Sequence, residues 1–217
     1  MDSQGPESQQ EGKLVKIRKE GFPFIVATGV LALFLSRTRL FFLGLVPAAF
    51  VAWFFRDPQR DVPEGDDMIL SPADGTIQDI VECTEDRIGQ CTKISIFMSV
   101  FNVHVNRAMV SGTMIEKRYR PGKFHMANMG KKTEDNERMI HYIKNDRGIF
   151  RVDQVAGLIA RRISCWPDTG DTLLAGQKIG LIRFGSLLEC YLPKGVNVLV
   201  RVGDKPVAGE TILGRMV

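Results

Sequence analysis

The chain has 217 residues, 44% of them hydrophobic and 25% charged, and its 29 Lys plus Arg against 25 Asp plus Glu leave a formal charge of +4. That length holds one or two compact domains with a proper core. The four cysteines, Cys83, Cys91, Cys165 and Cys190, form no CxxC pair, so neither a zinc site nor a redox motif is signalled, and they read as small buried hydrophobes of a reducing compartment. Lys13, Lys16, Arg18, Lys19, Arg37 and Arg39 cluster beside apolar stretches near the N-terminus, which points to a membrane face and away from nucleic acid.

Residues 1–12 are Gln, Ser, Glu and Gly with almost nothing apolar and read as disordered, opening a basic tail over residues 1–21. Two uncharged apolar runs follow, Phe22 to Leu35 and Leu40 to Phe55, separated by Ser36-Arg37-Thr38-Arg39. Each is shorter than the ~20 residues that comfortably span a bilayer. The pair predicts an apolar helical hairpin over residues 22–55 that dips into a membrane or just crosses it. Residues 13–19 and Arg56 then share one side, which the positive-inside bias makes cytoplasmic. The Trp53-Phe54-Phe55 edge is typical of an interface. A buried hairpin of a soluble domain is the competing reading. A cleavable signal peptide is disfavoured by the double apolar run and the lack of a clear small-x-small site.

From residue 56 to 217 the texture changes to short β-rich runs punctuated by glycine. Ile69-Leu70, Gly75–Val81, Lys93–Phe97, Val100–Val105, Gly112–Tyr119 and Met139–Lys144 read as strands. So do Gly148–Val155, Gly157–Ile163, Lys178–Phe184, Leu187–Leu192 and Val196–Val202. Helical periodicity is nearly absent. The expected fold is mainly β, a β-sandwich or barrel-sandwich with hammerhead (lipoyl-like) character, preceded by the helical hairpin. A faint internal echo links Ser71–Ile77 with Gly203–Thr211. Asp204-Lys205 imitates the lysine pair on which hammerhead carriers hang a cofactor, but it falls near the end of the chain and outside a clear central hairpin.

The stretch Gly180–Glu189 carries the chemistry of most interest. An apolar run leads into Gly185-Ser186, and a serine behind a glycine at a strand end can present its hydroxyl to its own preceding carbonyl. The bland alternative is a Gly-Ser turn. A nucleophilic serine needs a base and an orienting carboxylate. The histidines are His104, His125 and His141, and His104 stands out because Asn102, His104 and Asn106 share one face at period two, a polar stripe between apolar residues. Asp74, in a Pro-Ala-Asp-Gly turn, is the carboxylate candidate, with an Asx turn as its bland reading.

Taken together, Phe55-Arg56-Asp57-Pro58, Ser71-Pro72-Ala73-Asp74-Gly75, Val103-His104-Val105-Asn106, Phe184-Gly185-Ser186 and the segment from Gly122–Ala127 to Asn136-Glu137-Arg138 resemble the phosphatidylserine decarboxylase family, in its short form. The likeness covers roughly residues 50–217, with the motifs in family order. It implies a self-processing enzyme in which Asp74 orients His104 and His104 activates Ser186 against the Gly185 carbonyl. Cleavage between Gly185 and Ser186 would leave a β chain, 1–185, and an α chain, 186–217, headed by a pyruvoyl group made from Ser186. That ketone condenses with the substrate amine and takes up electrons as carbon dioxide leaves. The resemblance further implies phosphatidylserine in the cytoplasmic face of the inner membrane as substrate, no metal, and as partners the enzyme's own two chains and a second copy in a homodimer. Two departures from long-form members stand out: Phe184-Gly185-Ser186-Leu187 replaces Leu-Gly-Ser-Thr, and Phe101 replaces a second histidine. A pyruvoyl decarboxylase of a soluble amino acid and a membrane-tethered hammerhead carrier are the other readings.

Overall fold

The computed structural model describes residues 15–123, 135–157, 163–183 and 186–216. The chain divides into two compact units, 1–59 and 60–217. In the first, β1 (Val15–Ile17) leads through a 3₁₀ turn, Lys19–Gly21, into α1 (Phe22–Phe34), and α2 (Phe42–Phe54) follows. β2 (Arg56–Pro58) returns to pair antiparallel with β1. The disorder expected for residues 1–12 falls outside the described residues.

The helical pair forms where the apolar runs predict it. Pro23 sits in the first turn of α1, where a missing N–H costs nothing. Gly44 lets the helices close, since a Cβ there would overlap the backbone of Ala32. Each helix has 13 residues, about 20 Å at the helical rise, against the ~30 Å of a bilayer's hydrocarbon. No described helix is long and apolar enough to cross a membrane. Phe22, Val26, Val30, Leu33, Phe34, Phe42, Val46 and Trp53 all lie exposed.

Among its described residues the elements of the second unit are all strands, in chain order β3 (Met68–Leu70), β4 (Thr76–Glu85), β5 (Gly89–Met98), β6 (Val105–Arg107), β7 (Gly112–Arg120), β8 (Arg138–Asn145) and β9 (Gly148–Ala156). β10 (Ile163–Cys165), β11 (Thr172–Leu173), β12 (Lys178–Ile182), β13 (Ser186–Pro193), β14 (Val196–Val198) and β15 (Ile212–Met216) complete it. Seven strands form one sheet in the order β11-β7-β8-β9-β13-β5-β4, and two three-stranded sheets run β10-β12-β6 and β14-β15-β3. All the described strand pairings are antiparallel. The mainly β expectation and the helical pair before it both hold.

Two expected strands are cut short. Val100–Val105 is mostly a turn, because the Asn102 side chain accepts from the Ser99 N–H at 2.9 Å and from its hydroxyl at 2.8 Å. Val196–Val202 ends as a strand at Val198, and the chain then turns away so that the Gly203 N–H donates to the Ile77 carbonyl. The 71–77 and 203–211 segments that echo each other in sequence lie side by side, with Ser71 N–H on Thr211 O, Ile77 N–H on Asp204 O and Gly209 N–H on Ser71 O.

The large sheet has two unlike faces. Ile94, Ile96, Met98, Val152, Ala156, Leu188 and Cys190 lie on one and belong to the main core. On the other, Arg138 donates to Asp153 at 3.0 Å and Glu189 at 2.9 Å, and Arg151 pairs with Asp153 at 2.6 Å and Glu85 at 3.1 Å. These charges are nearly all buried, yet each has an opposite partner, as buried charge requires.

Candidate active site

Ser186 is the first residue of β13, the strand between β9 and β5, and its direct neighbours across the two ladders are Ala156 and Met98. Pairing places it on the core face, where it is fully buried. Its Oγ has no hydrogen-bond partner. An unpaired buried hydroxyl costs about 1–3 kcal/mol, so such a group needs a reason to persist. Phe184 and Gly185 lie outside the described residues, as does His125.

His104 reaches the same end of the sheet by a different route. β5 ends at Met98, opposite Ser186, and the Ser99–Asn102 turn hands the chain to β6. β6 pairs with β12 through Val105↔Leu181, so His104 comes level with the end of β12, four residues before Ser186. The imidazole is fully buried, and its Nδ1 lies 3.0 Å from the Asn102 carbonyl. A carbonyl only accepts, so Nδ1 carries the proton in this bond.

Asp74 is held by other groups. Both of its carboxylate oxygens accept from Arg60 Nη2, at 2.9 and 2.8 Å, and Oδ1 also accepts the Ala208 N–H at 2.8 Å. It thereby pins the 71–75 turn to the 203–211 segment. The structure thus brings Ser186 and His104 to one end of the strands, gives His104 its orienting bond from the Asn102 carbonyl, and shows no bond between Asp74 and His104.

Gln154 and Arg60 escaped the sequence reading, which named Asn136 and His141 without a role beside Ser186. The Asn136 side chain donates to the Ala156 carbonyl at 2.9 Å, on the strand next to Ser186. Gln154 and His141 lie fully buried on the core face and are bonded to each other at 2.9 Å. Burial pushes the His141 imidazole below its ordinary value. The signal for Gln154 was present: in Val152-Asp153-Gln154-Val155-Ala156 a glutamine occupies the apolar phase of the alternation. Arg60 carries no such signal. Of the polar stripe, Asn102 closes the turn, while Asn106 accepts from Gln154 at 2.7 Å.

The family described as phosphatidylserine decarboxylase matches residues 48–214. The chain is 46% identical over 206 residues to the "Phosphatidylserine decarboxylase proenzyme" of Syntrophus aciditrophicus, covering 91% of this chain and 96% of that one. It is 48% identical over 208 residues to the proenzyme of the same name from Geotalea uraniireducens, covering 93% and 97%. For that of Symbiobacterium thermophilum the figures are 47% over 209 residues, 92% and 95%. With the motifs in order and the likeness running through nearly the whole length, the chain belongs to the phosphatidylserine decarboxylase family.

Proposed function

We propose that this protein is a self-processing decarboxylase that converts phosphatidylserine to phosphatidylethanolamine and carbon dioxide. The observation that carries the reading is the buried, unpartnered hydroxyl of Ser186 at the head of a central strand. In this reading Ser186 Oγ attacks the carbonyl of Gly185 and His104 Nε2 takes the hydroxyl proton, with Nδ1–H held by the Asn102 carbonyl. The Gly185–Ser186 amide is thereby exchanged for an ester on Ser186 Oγ. Loss of the Ser186 Cα proton and cleavage of its Cβ–Oγ bond free the Gly185 carboxylate, and water displaces the dehydroalanine nitrogen as ammonia. Residues 1–185 and 186–217 result, the second headed by a pyruvoyl group.

Ser186 fits such a group made in place: its hydroxyl has no competing bond, and Met98 and Ala156 beside it offer no charge. The pyruvoyl carbonyl supplies an electron sink for decarboxylation. Around it this chain's residues exclude water and hold protons. His104 is the described group placed to move one, since Phe101, which replaces the second histidine of long-form members, cannot and is 68% exposed.

Intact mass and a denaturing gel test the reading. Two chains breaking at Gly185-Ser186 are expected, the smaller blocked to Edman degradation and gaining hydrogen with borohydride. A single full-length, fully active species would overturn it.

The exposed apolar side of the α1–α2 pair supports an anchor that enters the cytoplasmic face of the inner membrane without spanning it. Full-length protein is expected to float with phosphatidylserine-containing vesicles after a high-salt wash, and Val30→Glu with Val46→Glu to reduce flotation about tenfold. Unchanged flotation would place the anchor elsewhere.

A further inference from the structure

A run of buried polar groups crosses the core beside Ser186. His141 on β8 meets Gln154 Oε1 on β9 at 2.9 Å, Gln154 Nε2 donates to Asn106 Oδ1 on β6 at 2.7 Å, and Asn106 Nδ2 donates to the Met98 sulfur on β5 at 3.5 Å. All four side chains are fully buried. The direction of the run is fixed at its far end. A thioether only accepts, so the Asn106 NH₂ faces Met98, its oxygen faces Gln154, and the glutamine oxygen is left to accept from His141 Nε2–H. Every donor therefore points toward Met98, the residue directly opposite Ser186, and bonds aligned this way strengthen one another. At the near end the Cys165 thiol lies 3.8 Å from His141 Nδ1.

The run also crosses between sheets. His141, Gln154 and Met98 belong to the seven-stranded sheet, whereas Asn106 belongs to the three-stranded one and sits two residues from His104. Gly180, the cross-strand partner of Asn106, is shaped to admit it: a Cβ there would fall 2.8 Å from Gln154 Nε2.

Building on Ser186 as nucleophile and His104 as base, we propose that Gln154 and Asn106 are positioning residues for self-processing, their amides locking the strand that carries His104 against the strand ends that flank Ser186. Neither touches the reacting atoms. They act by fixing where the His104 imidazole stands relative to the Ser186 hydroxyl.

A carboxylic acid distinguishes this role from simple filling of space. Protonated, Glu at position 154 has one C=O and one O–H and reproduces the amide's accept-and-donate pattern. Ionised, it has no donor and confronts the Asn106 oxygen. The titratable groups on this side are His141, Cys165 on β10, Lys117 on β7 and His104 beside β6, while Asp153 on β9 acts on His141 from the opposite face. Burial pushes His141 down and the Cys165 thiol up to about 11. Lys117 is occupied by Asp168 and the Pro167 carbonyl, and Asp153 by its two arginines.

The experiment pulse-labels full-length chain, shifts it to buffers from about pH 6 to 8.5, and follows release of the 186–217 fragment as a ratio to wild type at each pH. Gln154→Glu is expected to cleave about tenfold or more slowly at the alkaline end and to approach the wild-type rate at the acid end, because burial raises the new carboxyl's pKa. Asn106→Asp, whose neutral acid can still donate to Met98, is expected to show the same acid rescue and serves if the first variant does not fold. Gln154→Met is expected to be slow at every pH. Ratios that do not change with pH for the carboxylate variants, or Gln154→Met cleaving within about twofold of wild type, would overturn the proposal. Wild type that never cleaves would instead overturn the reading of Ser186.

Discussion

The two faces of the seven-stranded sheet solve the same problem, polar groups out of water, with opposite chemistry. The outer face uses full charges: Arg138, Arg151, Asp153, Glu189 and Glu85 neutralise one another over short distances. On the core face, where Ser186 opens β13, the described polar run beside it is built of neutral amides, an imidazole, a thiol and a thioether. Paired charges can hold strands together but impose strong local fields, and removing one partner is costly. A neutral relay can fix geometry beside a nucleophile without biasing its proton. On the role proposed for Ser186, the buried ion pairs beside β13 and the reactive hydroxyl lie on opposite sides of one sheet.

The largest effect that would break this division is on the core side. His104→Ala is expected to abolish cleavage while leaving a cooperatively folding protein, read by gel and thermal melt. The family resemblance gives Asp74 the role of orienting His104, and on that role Asp74→Asn is expected to slow cleavage by ~10⁴, the loss on neutralising a triad carboxylate. Arg60→Gln, which leaves the carboxylate in place, is expected to lose far less. Equal losses in the two variants would confine Asp74 to its ion pair. On the outer side Arg138→Met leaves Asp153 and Glu189 facing each other across β9 and β13. Denaturant unfolding should show a loss of about 3–5 kcal/mol, with the folded fraction still cleaving at the wild-type rate. A slowed cleavage with intact stability would mean that the outer charges act on Ser186 after all.

The smallest effect sharpens the charge assignment. Burial opposes ionisation of Glu85, yet the Tyr142 hydroxyl at 2.5 Å, the Arg87 and Ile88 N–H groups and Arg151 together hold its carboxyl below the ordinary 4.5. The folded value lies below the unfolded one. The stability it contributes is therefore present above pH 4.5 and is lost as pH falls through the lower, folded value. Glu85→Gln should cost about 1.5–3 kcal/mol near neutrality, and the gap to wild type should narrow in acid. A gap that stays constant down to pH ~3 would show that the carboxylate is not the source.

Much of this was legible before any coordinates, and the rest was not for a physical reason. Alternation told which residues share a face, so β5, β7, β8, β9 and β13 were expected within a few residues of their ends, and the lone apolar hairpin announced itself by composition. Alternation does not say which distant residue stands opposite. Nothing near Arg60 foretells its pairing with Asp74, and nothing in β6 foretells that Asn106 meets Gln154, 48 positions along the chain. Local competition misled in one place: Val100–Val105 has strand composition, but the Asn102 side chain offers Ser99 a better partner than a ladder would. The two-residue β11 has too little length to leave a pattern.

The place of β13 in the middle of the sheet has a consequence for folding itself. The proposed cut at its head would release nothing, because residues 186–193 pair with β5 and β9 and β15 pairs with β3. Before the cut, folding is a reaction of one molecule. After it, the same structure could be regained only by the meeting of two, one of them a short segment whose natural place is an interior slot that the other would have to hold open. On the proposed reading the cut would act as a ratchet: once it was made, the protein's lifetime would be set by how slowly it opens rather than by how readily it re-forms.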